Sequence, residues 1–179
     1  HKFHGPRGIG ALVVRSHVDI EPVLYGGFQQ MGLRPGTEST VLTLGMHKAL
    51  TLWQSEAEDR RRRIAALRDQ FESDLRSEYP EIVIPGSAAP RLPHTSNISF
   101  PGMDRQALLL ALDMQGIACS TGSACASGSS EPSPVLSAME LDEGIVQSAL
   151  RFSFGADNTQ AEVEESTRRI SNVIKQLRK

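Results

Sequence analysis

Cys125 stands in Ser120-Thr-Gly-Ser-Ala-Cys125-Ala-Ser-Gly-Ser-Ser-Glu131-Pro132, a run of small and hydroxyl-bearing residues. A thiol reacts as its thiolate and needs an accessible, polar setting, which this composition provides. Loops of this kind carry function more often than stability. A reactive Cys125 and an incidental loop cysteine both fit the local sequence. Cys119 ends the apolar run Ile117-Ala-Cys119 and reads instead as a core residue.

Three further groups invite chemistry. Lys2 lies in His1-Lys-Phe-His-Gly-Pro-Arg-Gly-Ile-Gly10, beside a Gly-Pro turn; spacing alone makes it a surface lysine, and the glycines are a weak sign of close approach to a ligand. Thr37 closes Gly26-Gly-Phe-Gln-Gln-Met-Gly-Leu-Arg-Pro-Gly-Thr37. A Gly-rich loop feeding a helix N-terminus suits a phosphate, and a tight turn with Thr37 as N-cap fits equally well. Arg151 sits in Leu150-Arg-Phe-Ser153. An arginine within an apolar strand is costly unless paired, and its forked guanidinium suits a carboxylate. That carboxylate is slightly more readily an internal Asp or Glu than a substrate's.

These residues need elements to hold them. Residues 1–40 read as strands and turns, with Ile9–Val14 an apolar run of strand type. A helix follows Thr37, with Val41, Leu44, Ala49 and Leu52 on its apolar side. A second helical stretch runs from Ser55 to about Glu78, burying Ile64, Leu67, Phe71 and Leu75 at spacings of three and four. The run Arg60–Arg63 at its start reads as a solvated face pairing with Glu56, Glu58 and Asp59 rather than as an anion patch. A change of character near Trp53–Glu58 marks a candidate domain boundary, and a single long helix crossing it fits the same residues. Beyond residue 80, strands at Ile82–Ile84, Asn97–Phe100, Ile117–Cys119 and Leu150–Phe154 alternate with helices at Asp104–Gln115, Pro134–Met139 and Thr159–Lys179. Gly116 is the expected stop of the first of these helices. The alternation suggests a compact α/β unit.

Composition narrows the classes. The chain has 179 residues, 39% hydrophobic and 22% charged, with net charge −2. No stretch approaches the ~20 apolar residues that span a bilayer. Near-neutral charge argues against a nucleic-acid binder working through bulk electrostatics. Its 2 cysteines are too few for a disulfide framework or a cysteine-based zinc site, so no metal is expected. The chain opens at His1 with no signal-like segment, and the expectation is a piece of a longer, cytoplasmic protein.

Taken together and in order, the four segments resemble the cysteine desulfurases of the NifS/IscS-like class, pyridoxal-phosphate enzymes of the aspartate-aminotransferase fold. The matching stretches are His1–Leu12, Arg34-Pro-Gly-Thr37-Glu, Ser120–Cys125 with Glu131-Pro-Ser-Pro-Val-Leu136, and Leu150-Arg-Phe-Ser-Phe-Gly155. The resemblance implies fold type I of the pyridoxal-phosphate transferases, with residues 1–56 ending the large cofactor domain and 57–179 forming the small α/β domain. It implies that Lys2 holds the cofactor as a Schiff base and that His1 lies at the cofactor phosphate. It implies that Thr37 reaches the phosphate of a neighbouring subunit's cofactor, hence a homodimer. Cys125 would accept sulfur and Arg151 would bind the substrate carboxylate. Asn97, in Leu92-Pro-His-Thr-Ser-Asn-Ile-Ser-Phe100, also resembles the family but receives no catalytic role.

The implied reaction converts L-cysteine to L-alanine and leaves a persulfide on Cys125 for an acceptor protein, an iron–sulfur scaffold or a thiolation enzyme. Phe28-Gln-Gln-Met31 departs from the family's third glycine followed by Gln-Glu-Arg, which bears on acceptor or substrate preference. A selenocysteine lyase on the same scaffold is one alternative, and a non-catalytic dimerisation or sulfur-carrier fragment is another. The family's chains are considerably longer. Their ring-stacking histidine and their aspartate at the pyridine nitrogen have no candidate here, so the first half of the same enzyme is an expected partner.

Overall fold

Neither glycine nor proline interrupts the chain between Met46 and Tyr79. One helix results, α1, Thr40–Glu78, of 39 residues. The two stretches expected on either side of Trp53–Glu58 are therefore continuous, because a change of composition is not a stop signal. Thr37 is not its cap. Ser39 Oγ accepts the Leu42 amide at 3.4 Å and so serves the helix start.

The computed structural model describes residues 1–122 and 133–178. It divides into two units, His1–Ala57 and Glu58–Lys179. In the first unit, residues 1–39 form turns and a 3-10 segment, Gln29–Gly32, and no strand. The expected strand at Ile9–Val14 has no ladder to join, and an apolar run becomes a strand only where a partner completes its hydrogen bonds. No residue of this unit is buried.

The second unit is built on an antiparallel pair. β1, Thr95–Ser99, faces β2, Ala149–Ser153, with Asn97 opposite Arg151. Single bridges at Val83–Ser99 and Ser120–Arg151 extend the pair on either side. The strands expected at Ile82–Ile84 and Ile117–Cys119 shrink to those bridges. Along β1 and β2, Ile98, Leu150 and Phe152 are buried while Asn97 and Arg151 are only half-buried. The period of two thus sends one face to the core and leaves a polar face opposite.

Helices close the core face. α2, Arg105–Met114, is capped by Asp104, whose carboxylate accepts the Ala107 amide at 2.8 Å. It ends at Gly116, φ +74°, where the Gly116 amide donates to Asp113 O and the Ile117 amide to Leu112 O. That paired pattern needs a left-handed residue, which glycine adopts without steric cost. Two short helices follow, α3, Pro134–Ala138, and α4, Glu143–Gln147. α5, Gln160–Leu177, starts with a capping box, Thr159 Oγ1 accepting the Glu162 amide and Glu162 accepting the Thr159 amide. Leu67, Phe71 and Leu75 of α1, Leu108 and Leu112 of α2, and Ile170 and Ile174 of α5 pack in one cluster with Ile98, Leu150 and Phe152. A smaller cluster joins Leu136 of α3 and Val146 of α4 to Ala149 of β2.

One ion pair pins the chain between α1 and β1. Arg91 donates to both carboxylate oxygens of Glu72, at 2.8 and 2.7 Å. Burial opposes ionisation of Glu72, but the paired hydrogen bonds and the positive charge of Arg91 outweigh it and hold the carboxyl below its usual range. Among the described residues, no helix is long and apolar enough to cross a membrane.

Candidate active site

β2 organises the region around Arg151. The Arg151 amide donates to Ser120 O at 2.6 Å, and the Ser120 amide donates back to Arg151 O at 3.0 Å. Ser120 Oγ in turn donates to Gly122 O at 3.2 Å, closing a small turn. Cys125 lies three residues beyond Gly122 and outside the described residues. Ser133, the next described residue, leads into α3, whose Leu136 packs on Ala149 of β2. Both flanks of the segment that carries Cys125 are therefore fastened to the strand that carries Arg151.

Arg151 itself departs from the expectation of an internal partner. Its guanidinium makes no ion pair among the described residues. The physical reason is its register. Flanked by the inward Leu150 and Phe152, it points to the polar face, where partial exposure keeps an unpaired guanidinium affordable. A half-buried arginine without a protein carboxylate is a natural receptor for a carboxylate from solution.

Cys119 has the opposite character. It packs against the main core, and burial, with the Asp113 carboxylate adding to it, pushes its thiol up to about 11. It is a weak nucleophile at neutral pH. Arg62 of the basic run pairs with Asp59, and Arg63 donates to Ala156 O at 2.7 Å. The Arg62 pair is the local pairing expected of this helix face, whereas Arg63 makes a tertiary contact with the turn ahead of α5.

The remaining expected site residues lie in the first unit. His1 and Lys2 are exposed, and His1 O accepts the His4 amide at 3.0 Å to close a turn. His4 takes φ +64°, and a Cβ on Gly5 would meet the Phe3 ring at 2.9 Å, so a side chain there would disturb that turn. Thr37 is exposed just ahead of α1, and its hydroxyl has no hydrogen bond among the described residues. Two glutamines hold the chain on either side of it. Gln29 Oε1 accepts the Gly36 amide at 3.3 Å, and Gln30 Nε2 donates to Glu38 Oε1 at 3.0 Å. That bracing was not legible beforehand, because Gln30 and Met31 adopt left-handed φ of 52° and 57° without being glycine.

A phosphorylated aldehyde cofactor asks for a free amine, donors for its phosphate and partners for its ring. The Lys2 amine is exposed and without an ion pair among the described residues. Near Thr37, Ser39 Oγ takes the Leu42 amide, while the amides of Thr40 and Val41 have no carbonyl partner within the helix, which suits a phosphate. The residues present fit the linkage and the phosphate. Among the described residues no group of three or more His, Cys, Asp or Glu side chains could hold a metal ion.

Known proteins resemble the chain over nearly its whole length. Residues 1–165 match the family model described as aminotransferase class-V. A cysteine desulfurase of Gluconacetobacter diazotrophicus is 40% identical over 178 residues, covering 99% of this chain and 44% of its own. A cysteine desulfurase IscS of Dictyoglomus turgidum is 36% identical, with 99% and 45% covered. A solved NifS-like protein superposes with a TM-score of 0.84 at 31% identity, over 99% of this chain and 45% of the other. The chain thus spans about 44% of the length of the curated relatives it matches.

Proposed function

The chain belongs to the class-V aminotransferase family, and from that premise we propose that the whole protein is a pyridoxal-phosphate-dependent cysteine desulfurase. The carrying observation is the pairing of Arg151 with Ser120. Arg151, whose guanidinium meets no carboxylate among the described residues, is bonded through its backbone to Ser120, five residues ahead of Cys125.

Each residue then has a task. The Lys2 Nζ would hold the cofactor, with Thr37 and His1 at phosphate groups. When bound, the cofactor withdraws electrons from the substrate α-carbon. Arg151 grips the substrate carboxylate and fixes the amino acid's orientation, a contribution that proximity makes large. Lys2, as a free amine, moves protons at the α-carbon. Cys125 as thiolate attacks the substrate sulfur. The C–S bond breaks, an S–S bond forms, and the carbon skeleton leaves as alanine. L-cysteine plus the Cys125 thiol thus give L-alanine plus the Cys125 persulfide, with no external oxidant.

The proposal extends to a homodimer, because Thr37 matches a residue that reaches a neighbour's cofactor. It extends to a sulfur-accepting protein, either an iron–sulfur scaffold or a thiolation enzyme, and to a cytoplasmic location. The test is Cys125→Ser in the whole protein. Persulfide and sulfide from L-cysteine should fall to background while the visible absorption of bound cofactor persists. Unchanged sulfur release from that variant overturns the role of Cys125.

A further inference from the structure

The hydrogen-bond pattern of β2 sets one more polar side chain beside Arg151. Both backbone groups of Arg151 point at Ser120. Arg151 therefore spends none on β1, and Asn97–Arg151 is a non-hydrogen-bonded pair of the β1–β2 ladder. The ends of the ladder agree, since Phe154 donates to His94 O and Phe100 to Ser148 O, and each of these bonded pairs lies three positions from Asn97–Arg151, an odd step that alternates the pair type. In antiparallel sheets such non-bonded pairs bring side chains closest, with Cα atoms about 4.5 Å apart. Asn97 and Arg151 share the polar face and are both half-buried.

Asn97 carries an anomaly at that position. Its Oδ1 is buried and has no hydrogen-bond partner among the described residues. Arg151 has the complementary surplus. A guanidinium offers five N–H donors, and none of those of Arg151 is engaged by a side chain or carbonyl among the described residues. A carboxylate taken bidentately uses two of the five and leaves others on the flank.

We propose that Asn97 is a positioning residue for the carboxylate-binding Arg151, its side-chain oxygen accepting a flank N–H when the guanidinium turns its fork onto the substrate carboxylate. The inference rests on the reading of Arg151 as the carboxylate receptor. Binding then satisfies two groups at once, the substrate anion and the orphaned amide oxygen. An alanine at 97 keeps the charge of Arg151 but leaves its fork unguided. An aspartate at 97 goes further, since its carboxylate would occupy the guanidinium and compete with substrate.

The test uses the cofactor-loaded whole protein and two probes, L-cysteine and cysteamine, which lacks the carboxylate. Binding of L-alanine, followed through the cofactor's absorption, supplies a readout independent of turnover. Asn97→Ala should raise KM for L-cysteine and Kd for L-alanine about 10-fold, the size of one lost hydrogen bond to a charged group. The kcat should stay within about 2-fold and cysteamine should be unaffected, because a loss of uniform binding appears in KM alone. Asn97→Asp should weaken L-alanine more than Asn97→Ala does. Added to Arg151→Ala, Asn97→Ala should have no further effect, as coupled residues require.

Equal losses for L-cysteine and cysteamine, a fall in kcat alone, or additive effects with Arg151→Ala overturn the role of Asn97. Thermal melting of each variant separates those outcomes from misfolding, and Asn97→Asp, close in size to asparagine, provides the second route if Asn97→Ala unfolds. Should Arg151→Ala itself keep the preference for L-cysteine over cysteamine, the carboxylate reading fails and Asn97 falls with it. Should Arg151→Ala lose the preference while Asn97→Ala keeps it, only the inference about Asn97 fails.

Discussion

Leu12, Val13, Val23 and Phe28 in the first unit are 80–94% exposed, whereas Leu75, Ile98, Leu108 and Leu150 in the second are at 0%. Both sets are apolar, so hydrophobicity alone does not separate them. The difference lies in what each segment can fold against. Residues 58–178 bring an amphipathic helix, an antiparallel pair and two capped helices around one core, and each apolar stripe finds another. Residues 1–57 bring turns and the start of one helix, which cannot enclose a core. Exposed apolar surface of this extent marks a face that meets another surface. The second unit thus carries its own stability, while the first presents residues.

The contrast is most sensitive to substitution within the core. Leu75→Ala should cost about 2–5 kcal/mol, the range for a fully buried leucine truncated without collapse. Urea unfolding of the second unit reads this directly. A cost under about 1 kcal/mol would mean that the packing around Phe71 and Ile174 is slack and the contrast overstated.

A smaller effect sharpens the polar side of the same unit. Arg91→Met strands the Glu72 carboxylate, whose side chain is 10% exposed. The expected cost is about 1–3 kcal/mol at neutral pH, between the values for surface and buried pairs. The pH dependence has a definite sign. Glu72 is held below its usual range when folded. Its ion pair therefore stabilises fully above the unfolded value, about 4.3, and is lost as pH falls through the lower folded value. The penalty of Arg91→Met should shrink over that acid window. A penalty that stays constant there would assign the effect to lost packing of the arginine stem.

Smaller again is Thr159→Ala, which removes one half of the α5 capping box and should cost about 1 kcal/mol in unfolding free energy. This helix was the most legible in the sequence. Thr159 and Glu162 stand at the right spacing, and Val163, Ile170, Val173 and Ile174 repeat on one face, so local signals sufficed. α2 was legible for the same reason, bounded by Asp104 and Gly116. Long-range partners were not legible. Alternation puts Arg151 opposite in sense to Leu150 and Phe152, so its polar orientation could have been read. Its pairing with Asn97 could not, because register depends on a strand more than fifty positions away. Ile9–Val14 failed in the other direction. Its composition is that of a strand, but a strand is completed only by a neighbour.

The smallest expected effect concerns that same stretch and bears most directly on the contrast. Val13 is 93% exposed and its neighbour Leu12 80%. In the 179-residue chain, Leu12→Ser and Val13→Ser should each change unfolding free energy by no more than about 0.5 kcal/mol, as surface substitutions do. The relatives extend well beyond the matched region, since this chain covers 44% of the first of them. Repeating both substitutions in a protein of the relatives' length asks whether these side chains stay exposed there. A cost of about 1.5–3 kcal/mol per residue, the worth of fully burying an aliphatic side chain, would show that they are covered by residues outside this chain. The first unit would then be one face of a larger core. A null effect in both lengths would leave its apolar surface free for a different partner, which the thermal stability of a mixed sample could then reveal by its concentration dependence.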